Sequence, residues 1–123
     1  MLLDTHVLLW WLEKPELLAA PARAAITSER SLVFVSAATA WEIGIKHARG
    51  KLRCPDDLVA MLCVNCFQSL PITVEHGLLA GSLPAHHADP FDRMLVAQAK
   101  SEGLILVTRD PVLLKYDIST MAA

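Results

Sequence analysis

Short, uninterrupted apolar runs separated by segments with helical spacing are the feature that most restricts how this sequence can fold. Residues 104–107 are wholly aliphatic, and residues 32–35 are aliphatic and aromatic. Runs this short are typical of strands that are buried on both faces of a sheet. Helical segments lie between them, and a strand–helix–strand order favours parallel pairing with helices on both faces. The sequence therefore predicts an α/β fold around a central parallel sheet.

Turn and capping residues divide the chain into further elements. Ser36 is a candidate N-cap for the helix after residues 32–35, and Gly50 and Gly103 are typical helix stops. The predicted strands comprise residues 1–3, 32–35, 70–74, 104–108 and, at an edge, 117–120. The predicted helices comprise residues 5–12, 16–28, 37–49, 55–68, 75–82 and 89–102.

Length and composition restrict the class of protein further. A chain of 123 residues predicts one domain spanning residues 1–123. Its 54% hydrophobic content and net charge of −2 exclude a disordered chain. Its longest unbroken apolar run, residues 7–12, is far shorter than a membrane-spanning helix, so we expect no membrane association. The apolar excess must serve a buried sheet, a partner interface or both.

Cysteines and basic residues give weaker signals. Three cysteines argue against a disulfide framework. The pair Cys63 and Cys66 has no second pair at zinc-site spacing, which favours buried thiols over a redox or metal role. One stretch of eight positions is locally basic, which predicts either a cationic patch or an ordinary solvated helix end. Its basic residues are Lys46, Arg49, Lys51 and Arg53.

Acidic residues recur where the predicted strands end. Asp4 directly follows the first strand, and Asp110 follows residue 107 by three positions. Glu42 lies in the helix that leaves residues 32–35, and Asp92 lies in the first turn of the helix before residue 104. In open α/β sheets ligands bind beyond the carboxyl ends of the strands, so these acids are candidates for one site.

Each acid also has a structural explanation. Asp4 and Asp110 are possible helix caps, and Thr39 with Glu42 matches a capping box. Asp89 precedes a proline, as an N-cap does, so we expect Asp89 to be structural and Asp92 functional, although the sequence leaves that choice open. Capping does not account for Glu42, because a carboxylate among the apolar residues 37–45 needs a partner or a metal.

Four carboxylates together would form an oxygen-only cluster. Such donors suit Mg²⁺ or Mn²⁺ rather than zinc, and a divalent ion would offset their mutual repulsion. Two ions about 4 Å apart can assist phosphodiester cleavage without a histidine base. A metal-dependent phosphodiesterase site formed by Asp4, Glu42, Asp92 and Asp110 is the resulting prediction.

The same residues carry a family resemblance that extends over nearly the whole chain. The matching segments are LLDTHVLLW (2–10), VSA with WEI (35–37 and 41–43), HHADPFDRMLVAQA (86–99) and LVTRD (106–110). They resemble PIN-domain proteins, and specifically the VapC-type ribonuclease toxins of bacterial toxin–antitoxin pairs.

This resemblance implies a three-layer α/β/α sandwich with a parallel sheet of four or five strands. It implies Mg²⁺ or Mn²⁺ bound by Asp4, Glu42, Asp92 and Asp110, and cleavage of single-stranded RNA in the cytoplasm. It also implies a homodimer and a cognate antitoxin as partners. A PIN-fold RNA- or protein-binding module without nuclease activity is the alternative function.

Several further residues receive secondary roles. We expect Thr5, Lys46, Arg93 and Thr108 to contact substrate, with local capping or pairing as the alternative. His86 and His87 are adjacent and point in different directions, so they are not expected to bind metal. Trp10, Trp11 and Leu12, with the helix over residues 17–25, are candidates for a groove that binds an antitoxin or a second subunit.

Overall fold

The computed structural model, which describes residues 1–52 and 57–123, has a five-stranded, wholly parallel sheet at its centre. The strand order is β3-β2-β1-β4-β5. The strands are β1 (Leu2–Leu3), β2 (Phe34–Ser36), β3 (Gln68–Leu70), β4 (Leu106–Thr108) and β5 (Thr120–Ala122). The predicted fold class, including the parallel pairing and the strand number, is confirmed.

Helices connect the strands, as the sequence predicts, although several boundaries differ. They are α1 (Thr5–Glu13), α2 (Ala20–Thr27), α3 (Ala37–Ala48), α4 (Leu58–Val64), α5 (Val74–Ser82) and α6 (Pro90–Glu102), with 3₁₀ turns at Pro15–Leu17 and Leu113–Lys115. The predicted helix 16–28 is divided, because the chain is extended at Leu18 and Ala19. The third strand begins two residues earlier than predicted, and the last strand begins three residues later than predicted.

Neighbouring residues on each strand face opposite sides of the sheet, which divides the apolar interior into two cores. Leu3, Val35 and Val107 lie in the first core, together with residues of α1 and α2. Leu2 and Leu106, which are paired across β1 and β4, lie in the second core with α5 and α6. Helices therefore cover both faces, and the buried sheet accounts for much of the apolar excess.

The position of β1 at the centre of the sheet determines where polar residues gather. The chain proceeds from β1 through β2 to β3 on one side and later adds β4 and β5 on the other. Connections that leave in opposite directions open a crevice between β1 and β4 at the carboxyl ends of the strands. Asp4 follows β1 at this edge, and residues 109 and 110 follow β4.

The expectation of buried cysteine thiols is wrong for Cys63 and Cys66, which are both free and exposed. The predicted helix 55–68 would have placed them on a shared apolar face, but α4 ends at Val64. Cys66 has a left-handed backbone (φ 58°) that ends the helical spacing. Arg53, from the basic stretch, lies outside the described residues, as does the predicted start of this helix at residue 55.

Within residues 1–52 and 57–123, the helices are too short or too polar to cross a lipid bilayer.

Candidate functional site

A cleft of about 390 Å³ opens at the carboxyl edge of the sheet. All four predicted site acids line it, although they come from four separate segments of the chain. The lining residues are Asp4, His6, Trp10, Glu42, Lys46, Asp89, Asp92, Arg109, Asp110 and Pro111. The structure therefore brings together the acidic cluster that the sequence predicts.

Asp4 is held at the floor of the cleft by a bond to the neighbouring strand. Its side chain is only 6% exposed. The Thr108 hydroxyl donates to Asp4 Oδ2 at 2.7 Å, whereas the carboxylate makes no capping bond to α1. Burial raises the pKa of Asp4 above its ordinary value. The capping explanation for Asp4 is thus excluded.

Glu42 is equally buried, at 3% exposure, and it is also held by a threonine. Thr5 Oγ1 donates to Glu42 Oε1 at 2.7 Å and lies 3.1 Å from Thr39 Oγ1. The Lys46 ammonium, one turn later on α3, pairs with Glu42 Oε2. Ser36 caps α3 by accepting from the Ala38 amide at 3.0 Å, as predicted, so Glu42 is not part of a capping box.

Asp89 and Asp92 have different roles in the structure, a structural cap and a side chain that faces the cleft, and the sequence left open which residue has which role. Asp89 Oδ1 accepts from the backbone amides of Phe91 (2.8 Å) and Asp92 (3.4 Å), which makes Asp89 the N-cap of α6. Asp92 Oδ2 instead faces the His87 ring at 3.0 Å. The pKa of Asp92 is raised to about 7, first by burial and then by the negative charges of Asp4, Asp89 and Glu42, while His87 opposes the shift.

Asp110 combines a turn bond with an oxygen that faces the cleft. Its Oδ1 accepts from the Val112 amide at 2.9 Å, and its own amide donates to Thr108 Oγ1 at 3.1 Å. Its Oδ2 lies 3.1 Å from His87 Nε2. Asp110 therefore makes a local turn bond through one oxygen, but it is not the predicted helix cap, because Val112 is the N-cap of the 3₁₀ turn at Leu113–Lys115.

The predicted substrate-contacting residues differ in where they lie. Lys46 lines the cleft. Thr5 and Thr108 donate their hydroxyls to Glu42 and Asp4, which makes them positioning residues for carboxylates. Arg93 points away from the cleft, because its guanidinium donates to backbone carbonyls of the preceding loop, including those of Ala80 and Leu83. The position of Arg93 gives no support to a substrate contact.

Sequence reasoning missed an aromatic and basic wall of the cleft. His6 and Trp10 lie one helical turn apart on α1, and the Arg109 guanidinium lies 4.4 Å from the centre of the Trp10 ring. The four-residue spacing between His6 and Trp10, directly after Asp4, was the signal that could have identified this wall. His87, which the sequence analysis excluded as a metal ligand, contacts both Asp92 and Asp110.

The donor chemistry of the cleft fits a divalent cation. Carboxylate oxygens converge from four segments, and hard cations such as Mg²⁺ and Mn²⁺ prefer such ligands. Burial is the main cause of the raised pKa of Asp92, and the negative charges of Asp4, Asp89 and Glu42 add to it. A bound cation would offset these charges and favour the ionised carboxylates.

Comparison with known proteins agrees with the fold. The chain is 29% identical over 113 residues to Ribonuclease VapC22 of Mycobacterium tuberculosis strain ATCC 25618 / H37Rv, covering 89% of this chain and 86% of that protein.

Solved structures with the same fold include VapBC2 from Rickettsia felis bound to a promoter DNA fragment (TM-score 0.70, 12% identity, 98% of this chain and 96% of that chain). FitAcB from Neisseria gonorrhoeae is also similar (TM-score 0.69, 20% identity, 98% and 95% coverage).

A family match covers almost the entire sequence. The sequence model that describes the PIN domain matches residues 1–118, which include every strand except β5 and all four acids of the cleft. The chain therefore belongs to the PIN domain family.

Proposed function

We propose that this protein is a metal-dependent endoribonuclease that cleaves single-stranded RNA and serves as the toxin of a toxin–antitoxin pair. The observation that supports this most directly is the convergence of Asp4, Glu42, Asp92 and Asp110 in one cleft at the carboxyl edge of the sheet. Similarity to a protein named Ribonuclease VapC22 supports the same activity.

The four acids would hold Mg²⁺ or Mn²⁺ through their carboxylate oxygens. When bound, such an ion supplies Lewis acidity toward water and toward the oxygens of a phosphodiester. Thr5 and Thr108 keep the carboxylates of Glu42 and Asp4 in place by donating their hydroxyl protons. Asp4 and Glu42 both line the cleft although they are buried, and Lys46 already pairs with Glu42 Oε2.

The wall opposite the acids supports a single-stranded polynucleotide as substrate. Unpaired bases stack on aromatic rings and guanidinium planes, and phosphates pair with cations. The cleft offers the rings of His6 and Trp10 and the guanidinium of Arg109 beside the acids. Lys46 offers an ammonium at the acidic end, where its partner is Glu42.

RNA cleavage by the purified protein tests this function. Single-stranded RNA is incubated with the protein in Mg²⁺ or Mn²⁺, in EDTA, and with the Asp4→Asn variant; Glu29→Gln, an exposed acid outside the cleft, is the matched control. We expect cleavage by the native chain and by Glu29→Gln only when the metal is present. Cleavage that persists in Asp4→Asn or in EDTA would refute the catalytic assignment. RNA binding without cleavage would instead favour the non-catalytic binding module.

A partner antitoxin is supported by similarity to complexes named VapBC and FitAcB and by an apolar surface. Trp11 borders a shallow groove of about 560 Å³ with residues of α2. The Trp11 ring is half-buried: it packs against Phe67 and donates to Asn65 Oδ1 at 3.0 Å. Part of the predicted Trp10–Leu12 groove is therefore open to a partner, and a second copy of this chain is the other predicted occupant.

Co-expression with the product of the neighbouring reading frame tests this partnership. We expect growth arrest by this chain alone, relief by the neighbour, and recovery of the two proteins as one complex. Ala24→Glu places a charge on an exposed position of the groove without disturbing Trp11, so it should weaken the complex and leave RNA cleavage intact. An unchanged complex would exclude this groove as the antitoxin site. Light scattering of the chain alone determines whether it is a homodimer.

A further inference from the structure

The His87 ring lies between two carboxylates of the cleft. Its Nε2 is 3.0 Å from Asp92 Oδ2 and 3.1 Å from Asp110 Oδ2. One ligand atom from each of these three residues falls within 4.8 Å of the others, a tighter group than any that includes Asp4 or Glu42 among the described residues. Such an arrangement is ordinarily assigned as a metal site with one histidine ligand.

The other nitrogen of the ring argues against that assignment. The backbone amide of Asp89 donates to His87 Nδ1 at 3.1 Å. An amide N–H can only donate, so Nδ1 uses its lone pair as the acceptor and the proton of a neutral imidazole is on Nε2. A protonated Nε2 has no lone pair for a cation. In this pose the ring donates a hydrogen bond to Asp110 Oδ2, and Asp92 Oδ2 lies 3.0 Å from the same nitrogen.

The backbone around His87 fixes this pose. The His87 amide donates to Tyr116 Oη at 2.9 Å, and the His87 carbonyl accepts from Arg93 Nη1 at 3.4 Å. Arg93 also donates to the carbonyl of Ala80 near the end of α5 and to those of Leu83 and Pro84 in the loop that leads to His87. Moving the proton from Nε2 to Nδ1, which would free Nε2 to bind a cation, would remove the acceptor of the bond from the Asp89 amide.

We infer that His87 is a positioning residue whose Nε2–H bonds to Asp110 and lies beside the Asp92 carboxylate, and that a divalent cation competes with His87 for these carboxylates instead of being bound by it. The inference rests on the proposed function in one respect, namely that the cleft binds such a cation. A donor between two carboxylates partly offsets their repulsion, and a cation at the same oxygens replaces that donor.

Two measurements test the competition without relying on RNA cleavage. The first is calorimetric titration of Mn²⁺ and Mg²⁺ into the metal-free protein, with His87→Ala and His87→Gln as variants. Loss of one hydrogen bond from the competing state predicts about fivefold tighter binding of both ions by His87→Ala. Glutamine retains an N–H donor of similar reach, so His87→Gln should remain close to the native affinity.

The opposite result would overturn the inference. A ligand role predicts weaker Mn²⁺ binding by His87→Ala, on the order of tenfold or more, with a smaller loss for Mg²⁺ because imidazole suits transition metals better. Equal affinities in the native chain and in His87→Ala would also refute the competition.

The second measurement is the ¹⁵N NMR spectrum of the histidine ring in the native protein, which requires no variant. We expect a proton on Nε2 in the metal-free state and the same tautomer after Mg²⁺ is added. A proton on Nδ1 in either state would refute the inference. Failure of the proposed function can be told apart from failure of this inference. A chain that binds no divalent ion and cleaves no RNA would still show which His87 nitrogen carries the proton in the metal-free state.

Discussion

The two halves of the cleft are organised in different ways. Asp4 and Glu42 form the buried half, with side chains 6% and 3% exposed, and each accepts a threonine hydroxyl from a neighbouring element. Asp92 and Asp110 form the open half, with side chains 17% and 31% exposed, and they share one donor on the loop before α6. The buried half is held by threonines of α1 and β4, whereas the open half depends on His87.

We therefore expect the buried half to keep its geometry, whereas the geometry of the open half is expected to adjust when a cation binds. The hydroxyls of Thr108 and Thr5 hold the carboxylates of Asp4 and Glu42 in place. The open half carries the strongest electrostatic penalty, since burial and three neighbouring acids raise the pKa of Asp92 to about 7. A cation is therefore expected to change the open half more than the buried half.

The largest expected effect comes from removing a charge of the buried half. Asp4→Asn retains an acceptor for Thr108 but removes a carboxylate ligand, so RNA cleavage should fall by about 10³-fold, in line with a loss of several kcal/mol. The metal-free variant should melt at a higher temperature than the native chain, because burial penalises the Asp4 charge. Thermal unfolding in EDTA measures this. A lower melting temperature would mean that Asp4 stabilises the fold through bonds that asparagine does not replace.

The next effect is a pH dependence that originates in the open half. The pKa of Asp92 is raised from 3.8 to about 7, so the folded chain keeps a proton that the unfolded chain releases. The free energy of unfolding of the metal-free protein should therefore fall as the pH rises from about 4 to about 7, by no more than about 4 kcal/mol.

Urea unfolding across that pH range, with and without Mg²⁺, measures this dependence. Asp92→Asn should reduce the slope, and Mg²⁺ should reduce it in the native chain by favouring the ionised carboxylates. If Asp92→Asn and the native chain show the same slope of unfolding free energy against pH, other groups cause the pH dependence. The electrostatic contrast between the open half and the buried half would then be wrong.

A smaller effect tests the threonine donors of the buried half. Thr5→Val and Thr108→Val keep the side-chain shape but leave a buried carboxylate without its donor, which should cost about 1–3 kcal/mol of unfolding free energy. Thr27→Val, at an exposed position, is the control and should change stability by less than about 0.5 kcal/mol. Chemical denaturation compares the three variants. Losses equal to the control would show that the hydroxyls do not hold the buried half.

The smallest effect concerns the loop that supports the open half. Tyr116→Phe removes the acceptor of the His87 amide, which should cost about 0.5–1.5 kcal/mol. Denaturant unfolding gives the stability, and the His87 ring resonances report whether the ring moves. A loss well above that of Thr108→Val would show that the open half is as rigidly fixed as the buried half.

Much of the architecture could be predicted because the signals are local. Apolar runs indicate the strands, Ser36 and Asp89 cap the helices predicted to follow them, and Gly103 ends α6 in a left-handed conformation (φ 65°). The boundary errors have a local cause as well. Gln68 and Ser69 are polar and exposed, so pairing with β2 at the sheet edge, rather than hydrophobicity, makes them a strand.

The candidate site could be predicted only in part. Four acids at strand ends and helix starts were identifiable, because parallel strands place their carboxyl ends at one edge. His87 was not identifiable, since its direction depends on bonds from Asp89, Tyr116 and Arg93 that are distant or unpatterned in sequence. Arg93 shows the reverse error: it is adjacent to Asp92 in sequence, but its guanidinium points to the loop.

The sequence alone determined the parallel α/β fold, the edge at which the acids gather and the oxygen-only chemistry of the cluster, because periodicity, capping and residue type are local properties. Tertiary structure decided which carboxylate oxygens are held, by which donors, and how deeply each is buried. Those properties depend on contacts such as Thr108 with Asp4, 104 residues apart in the chain. The direction of a hydrogen bond and the burial of a side chain are determined only when distant segments pack together. These two properties distinguish the buried half of the cleft from the open half.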